Sequence, residues 1–490
     1  MSNQTNAPTM APPDSGVKVR MYRPRGLGDC FLMAFRAGDG SGRYMLIDCG
    51  IFFATKGGSA RMKKIARDIA AATGGQLHVL VATHEHWDHL SGFQFAEKIF
   101  DGINVEQVWL AWTEDRHHPL AKRLREKHAV ALRALTTAVA RLQAADDPGA
   151  RTIQEVLDFH GGFDTILGIS GTAGQMAYVH DRVSEPHYCR PEEAPLTLPE
   201  VPGVRVFVLG PPENEDLLSR SNPSKVDSEV YERALALDEA SAFYVAALAA
   251  EDPNALSVDE TELLEQSYPF DRSRRIPLDE AQHHEQFGTF FQRRYGFASE
   301  EGHGPTWRRI QSAWLGAAGS LALQLDNDTN NTSLTLAIEL TESGRVLLFA
   351  ADAQVGNWLS WHQTSWPDAG PGGTGVTGSD LVQRTVLYKV GHHGSHNATL
   401  RELGLEQMQS PALVAMIPVD GKQAAQKEWA MPFPPLLERL QEKTAGRIIR
   451  ADEGIPKKPD EVSQDAWDDF LARTALDPGP DKLWVEYTVA

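Results

Sequence analysis

Short apolar blocks punctuate the first fifty positions. VKVRMYRP (17–24), CFLMAFRAG (30–38) and RYMLIDCG (43–50) alternate or run together between turn residues, and predict three strands. GSARMKKIARDIAAATGG changes the period from two to helical spacing and stops at paired glycines, predicting a helix. QLHVLVAT (76–83) is a buried-type strand, and GINVEQVWLAW (102–112) another, so strands and helices alternate through the first third.

The pattern then loosens. From about 113 to 160 the chain reads as helical and rich in Arg, Lys and Ala; VPGVRVFVLGPP (201–212) returns to strand; about 213–300 reads as acidic and mainly helical. NTSLTLAIEL and GRVLLFAAD predict a hairpin around TESG, and QTSWPDAGPGGTGVTGSD a glycine-rich loop. RTVLYKVG, ALVAMIPVD and KLWVEYTV supply the last strands. Together these predict an α/β fold with two large, mainly helical inserts at about 113–160 and 213–300. No repeat at solenoid periods is visible.

Composition narrows the class. The chain has 490 residues, enough for a large core, with 42% hydrophobic and 23% charged residues, as in ordinary globular proteins. No apolar run approaches the roughly 20 residues of a membrane span, so no membrane partner is expected. The opening MSNQTNAPTMAPPDSG has neither a basic start nor an apolar stretch; residues 1–16 are expected to form a disordered tail, with no secretory signal. Cys30, Cys49 and Cys189 are too few and too scattered for a disulfide framework, which fits a cytoplasmic protein. A net charge of −19 argues against broad nonspecific nucleic-acid binding.

One stretch departs from ordinary surface chemistry. THEHWDH (83–89) places His84, His86, Asp88 and His89 at the end of an apolar strand. His84 and His86 lie two apart on extended chain, project to one side and can grip one ion. Asp88 and His89 follow at a turn and can face a second. Imidazole with carboxylate suits zinc, and also manganese or iron. Asp352 at the end of GRVLLFAAD, and His392 and His393 after LYKVG, are candidate partners at later strand ends. His78, alone inside its strand, reads as an ordinary solvated histidine with no ligand role.

These stretches carry a resemblance. GLGDCFLMAF, YMLIDCG, THEHWDHLSG, VFVLGPP, NNTSLTLAIEL, GRVLLFAAD and VLYKVGHHGS resemble, in order, the metallo-β-lactamase fold hydrolases. They look most like the hydrolase domain of bacterial DNA-uptake (competence) channel proteins. The resemblance implies an αββα sandwich of two mixed β-sheets over residues 17–490, with two divalent ions, zinc or manganese, at one edge. It implies His84 and His86 on the first ion, Asp88, His89 and His393 on the second, and Asp352 between them. It further implies Asp48 as an orienting residue, Asp29 and Lys389 beside the site, and His392 either behind the ligands or as a phosphate contact; Asp88, Asp352, His392 and Lys389 are the expected catalytic residues.

Two departures qualify it. Residues 322–351 contain no histidine where most of the superfamily supplies one to the first ion; Asn330 and Asn331 stand there, and either shape a turn or serve the metal. Met431, in MPFPPLLERL, replaces a histidine that the subfamily often carries. The expected activity is phosphodiester hydrolysis, as a phosphodiesterase or nuclease, by hydroxide formed when divalent ions lower the pKa of water toward ~7. Single-stranded nucleic acid is an expected substrate class, and the inserts an expected lid or protein-partner surface. The alternatives are a lactone, thioester or nucleotide hydrolase, and a regulatory metal-binding module of a multiprotein bacterial system.

Overall fold

The computed structural model describes residues 9–144, 149–162, 171–220, 273, 276–295 and 316–490. The chain starts with strands β1 (Val17–Tyr22), β2 (Phe31–Arg36), β3 (Gly42–Ile47), β4 (Gln76–Ala82), β5 (Asn104–Ala111) and β6 (His187–Cys189). Then come β7 (Val204–Gly210), β8 (Thr335–Leu340), β9 (Arg345–Phe349), the short pair β10 (Ser365–Trp366) and β11 (Val376–Thr377), β12 (Thr385–Lys389), β13 (Val414–Ile417) and β14 (Ile448–Arg450). β15 (Thr474–Leu476) and β16 (Trp484–Val489) return the chain to β1.

They form two mixed sheets, ordered β15-β16-β1-β2-β3-β4-β5-β6 and β14-β13-β12-β9-β8-β7. β1 to β3 pair antiparallel, whereas β3, β4, β5 and β6 run parallel. β7, β8 and β9 are antiparallel, and β9, β12, β13 and β14 parallel.

Side-chain alternation builds the layers. Val79 and Val81 of β4 enter a core that also holds Val206, Ile338, Leu347 and Met416 of the other sheet. Leu80 and Ala82 point the other way, onto Met62, Ile65 and Ile69 of helix α1 (Gly58–Thr73) and Phe93 of α2 (Trp87–Phe95). On the second sheet Leu348, Tyr388 and Ala415 pack outward against Trp358, Trp361, Leu381 and Leu440 from three helices. Strands buried on both faces must be apolar throughout, which is why they read as continuous runs.

These layers belong to one compact unit, residues 1–124, 158–229 and 326–490; residues 125–157 and 230–325 form a second. The second unit is helical where described, through Gly149–Leu157, Leu278–His283, Gly288–Tyr295 and parts of Pro119–Ala144 and Gly316–Asn331. The second unit covers 125–157 and 230–325, beside inserts expected at about 113–160 and 213–300. Much of the acidic 213–300 stretch lies outside the described residues.

Two further expectations are corrected. Met10 is buried beside α1, where the Thr9 and Met10 amides donate to Ala71 and Ala72 carbonyls and Tyr44 Oη donates to the Met10 carbonyl, so residues 9–10 belong to the fold rather than to a tail. The glycine-rich loop holds the β10–β11 pair and then a helix, Gly378–Gln383, started by a Thr377–Asp380 capping box. Among the described residues no helix is long and apolar enough to cross a membrane.

Candidate metal centre

The ends of β3, β4, β9 and β12 converge on the histidine cluster. After β4, Thr83 donates its amide to Asp48 Oδ1 (2.8 Å) and its hydroxyl to Asp48 Oδ2 (2.7 Å). Asp48 adopts a left-handed backbone, φ 54°, held in place by these bonds. Gly50, two residues on, lies so close to the start of α2 that a Cβ there would stand 2.1 Å from the Asp88 carbonyl. Only glycine permits that approach, and it seats the first turn of α2, which carries Asp88 and His89.

Two groups of side chains stand out, beside a third, Asp29, Asp48 and His89, that shares His89 with the first. In the first, Asp88, His89, Asp352 and His393 are all buried and their ligand atoms lie within 4.8 Å of one another. His393 Nε2 is 2.8 Å from Asp88 Oδ2, and His89 Nε2 is 3.2 Å from Asp352 Oδ2. In the second, His86 meets His160 and Asp326. His84 bridges toward it, with Nε2 3.0 Å from His86 Nδ1.

The outer nitrogens of three imidazoles have an anchor. His89 Nδ1 lies 2.7 Å from Asp48 Oδ2, His393 Nδ1 2.7 Å from the Pro418 carbonyl, and His84 Nδ1 3.1 Å from Thr83 Oγ1. Three inner atoms do not. Among the described residues His89 Nε2, Asp88 Oδ1 and Asp352 Oδ2 are buried without a well-formed hydrogen bond, the first and last facing each other at 3.2 Å. Each such orphan costs about 1–3 kcal/mol. Their concentration between imidazoles and carboxylates is the donor set that a divalent cation requires. The residues therefore fit a metal ion, and these buried His/Asp groups could hold one.

No family model, curated protein or solved structure matches the chain.

The electrostatics follow from burial and neighbours. Burial opposes charge on Asp352, yet His89, Lys389 and His392 outweigh it and hold its pKa well below the ordinary value. Burial also opposes charge on His89, but Asp352, Asp29, Asp48 and Asp88 hold its pKa well above that of an ordinary histidine. Burial drives His84 and His86 well below it. Asp326 is pushed up to about 8, first by burial and then by the Asp88 and Asp352 carboxylates.

Several sequence expectations are refined here. His393, not His392, joins the ligand group. His392 donates its backbone amide to Asp352 Oδ1 (3.1 Å), and its Nδ1 lies 3.2 Å from Ser395 Oγ. His392 and His393 both have positive φ, 40° and 53°, which turns the second ring inward. Lys389 is fully committed: its ammonium contacts Asp29, Asp352 Oδ1 (3.3 Å) and the Ala351 carbonyl (2.7 Å), so it positions Asp352 rather than facing a substrate.

The asparagines divide. Asn331 shapes the chain, accepting the Gln354 and Asn357 amides and donating to the Arg220 carbonyl. Asn330 donates to Asp326 Oδ2 (3.1 Å), beside the centre. Sequence reasoning missed His160 and Asp326. His160 is a single histidine closing a helical stretch, with no local motif. Asp326 carried one signal, its spacing of one helical turn before Asn330.

Proposed function

We propose that the chain is a metal-dependent hydrolase of the metallo-β-lactamase fold, acting on phosphodiesters. The observation that carries it is the convergence of Asp88, His89, Asp352 and His393, with orphaned inner atoms, at the ends of strands from both sheets. The layered pair of mixed sheets agrees with the αββα sandwich that the resemblance implies.

Asp88, His89, Asp352 and His393 would hold one ion; His84 Nε2 and His86 Nδ1, 3.0 Å apart, would hold its neighbour. Bound divalent ions supply a water ionised near neutral pH and balance charge developing on substrate oxygens. The chain's own residues do the rest. Lys389 and the His392 amide hold Asp352 Oδ1, leaving Oδ2 directed inward. Asp88 Oδ1, without a hydrogen-bond partner among the described residues, would take a proton from the attacking water. His392, whose pKa burial lowers to about 4, stays neutral at pH 7 and offers a phosphate oxygen an N–H without a charge.

The phosphodiester class rests on the HHGS and NNTSL stretches. The test is a panel at fixed salt: bis-(p-nitrophenyl) phosphate, a lactone, an acyl thioester, single-stranded DNA and RNA, and duplex DNA, with wild type and Asp88→Ala/His89→Ala. Diester turnover that the double variant abolishes supports the reading. Lactone or thioester turnover alone replaces it with a small-molecule hydrolase.

A further inference from the structure

Unlike His84, His89 and His393, His86 has an outer nitrogen with no close anchor among the described residues. Its Nδ1 faces His84 Nε2; its Nε2, on the far side of the ring, is buried without a hydrogen bond. The nearest carboxylate is Asp326, with Oδ1 3.7 Å from His86 Nε2 and likewise without a partner. The other oxygen, Oδ2, is gripped by Asn330 Nδ2 at 3.1 Å. Asn330 is itself fully buried and sits on the same helix, Gly316–Asn331, one turn after Asp326.

We propose that Asp326 is the positioning residue of His86: it accepts the His86 Nε2–H and so directs Nδ1 at the ion shared with His84, while Asn330 fixes the Asp326 carboxylate. The proposal rests on the metal-centre reading above.

Three observations support it. First, the other histidines set the pattern, since His89, His393 and His84 each place the outer nitrogen on Asp48, a carbonyl or a hydroxyl and the inner one toward the centre. A neutral imidazole that ligates through one nitrogen carries its proton on the other, and that proton needs an acceptor. Second, a carboxylate oxygen buried without a partner is costly, and among the described residues no Lys or Arg pairs with Asp326; an imidazole N–H is the donor on offer. Third, the assignment gives Asn330 a function. It also explains how a centre without a histidine in 322–351 keeps its first ion: this helix holds an existing histidine in place.

His160 stands in the same group, with its ring 4.9 Å from that of His86. It defines the competing possibility, a separate cation held directly by His86 Nε2, His160 and Asp326.

The experiment is metal binding to the full chain, stripped by chelation and titrated with zinc and with cobalt(II), for wild type, Asp326→Ala, Asp326→Asn and Asn330→Ala. Wild type is expected to bind two ions. Asp326→Ala should still bind two, one of them weakened roughly tenfold to a hundredfold, with the second unchanged. Asp326→Asn, which keeps an acceptor oxygen and the same shape, should recover part of that loss, and Asn330→Ala should show a smaller loss at the same ion. In the cobalt form, the exchangeable ring N–H resonance of His86 should be visible in wild type and vanish through fast solvent exchange in Asp326→Ala.

Unchanged affinities and an unchanged resonance would overturn the inference while leaving the metal-centre reading intact. Three ions in wild type and two in Asp326→Ala would overturn it in favour of a direct ligand. Wild type that binds no ion would sink the underlying reading. If Asp326→Ala does not fold, the resonance in wild type and the Asp326→Asn and Asn330→Ala titrations decide the matter.

Discussion

His393 Nε2 lies 2.8 Å from Asp88 Oδ2, although 305 positions separate the two residues. One follows β12 of the second sheet and the other opens α2 after β4 of the first, so the contact joins the two sheets at their edge. Its neighbour His392 keeps its ring outside the ligand group. His393→Ala should therefore abolish binding of one ion and all turnover. His392→Ala should retain both ions and lower turnover by about 10²-fold, the scale of one hydrogen-bond donor to a developing charge. Elemental analysis beside the diester assay checks both, and loss of metal in His392→Ala would reverse the assignment.

Asp48 hydrogen-bonds to the centre through Thr83 and His89. Asp48→Asn keeps the shape but weakens the acceptor for His89 Nδ1–H. Metal affinity should fall by roughly 10–100-fold with the fold unchanged by circular dichroism. An unaltered affinity would show that Asp48 serves the loop alone.

Lys389 is 1% exposed and lies between Asp29 and Asp352. Burial disfavours its charge, but the two carboxylates outweigh this and hold its pKa above that of an ordinary lysine. Lys389→Met leaves two buried carboxylates without their cation, and should cost about 3–5 kcal/mol of stability. Urea denaturation of the metal-free forms measures it; a change under about 1 kcal/mol would mean the carboxylates are compensated elsewhere.

His78 offers a pH test away from the centre. It is buried, and its Nδ1 accepts the Tyr44 amide at 3.0 Å, so protonation would set two donors against each other. Burial, then repulsion from Arg43, lowers its pKa from 6.5 to about 4. The unfolded chain thus binds more protons between those values, and stability falls as pH drops from 6.5 to about 4, by up to about 3 kcal/mol. His78→Gln keeps an acceptor and does not titrate, so its stability should lose less over that window. Parallel wild-type and variant curves would place the pH dependence elsewhere.

Much of this was legible in the chain. Period-two and continuous apolar runs located β1 to β5, β7 to β9, β12, β13 and β16 because both faces of each sheet are covered. The cluster at 84–89 announced itself because its ligands are adjacent in sequence. What escaped notice depends on tertiary approach. His160 and Asp326 are single residues that meet His86 only in the fold, and β6, β14 and β15 are three-residue strands too short to show a period. Lys389 was expected beside the site, and its pairing with Asp29 and Asp352 could not be read from sequence.

The central claim is that the buried group formed by Asp88, His89, Asp352 and His393 holds a metal ion. Anomalous X-ray scattering at the zinc edge, from crystals of the zinc-loaded protein, tests it most directly. The account predicts a peak about 2.0–2.2 Å from His89 Nε2, His393 Nε2 and carboxylate oxygens of Asp88 and Asp352. An empty centre at full zinc loading, or zinc confined to the separate group at His187, Cys189 and Glu193, would contradict it.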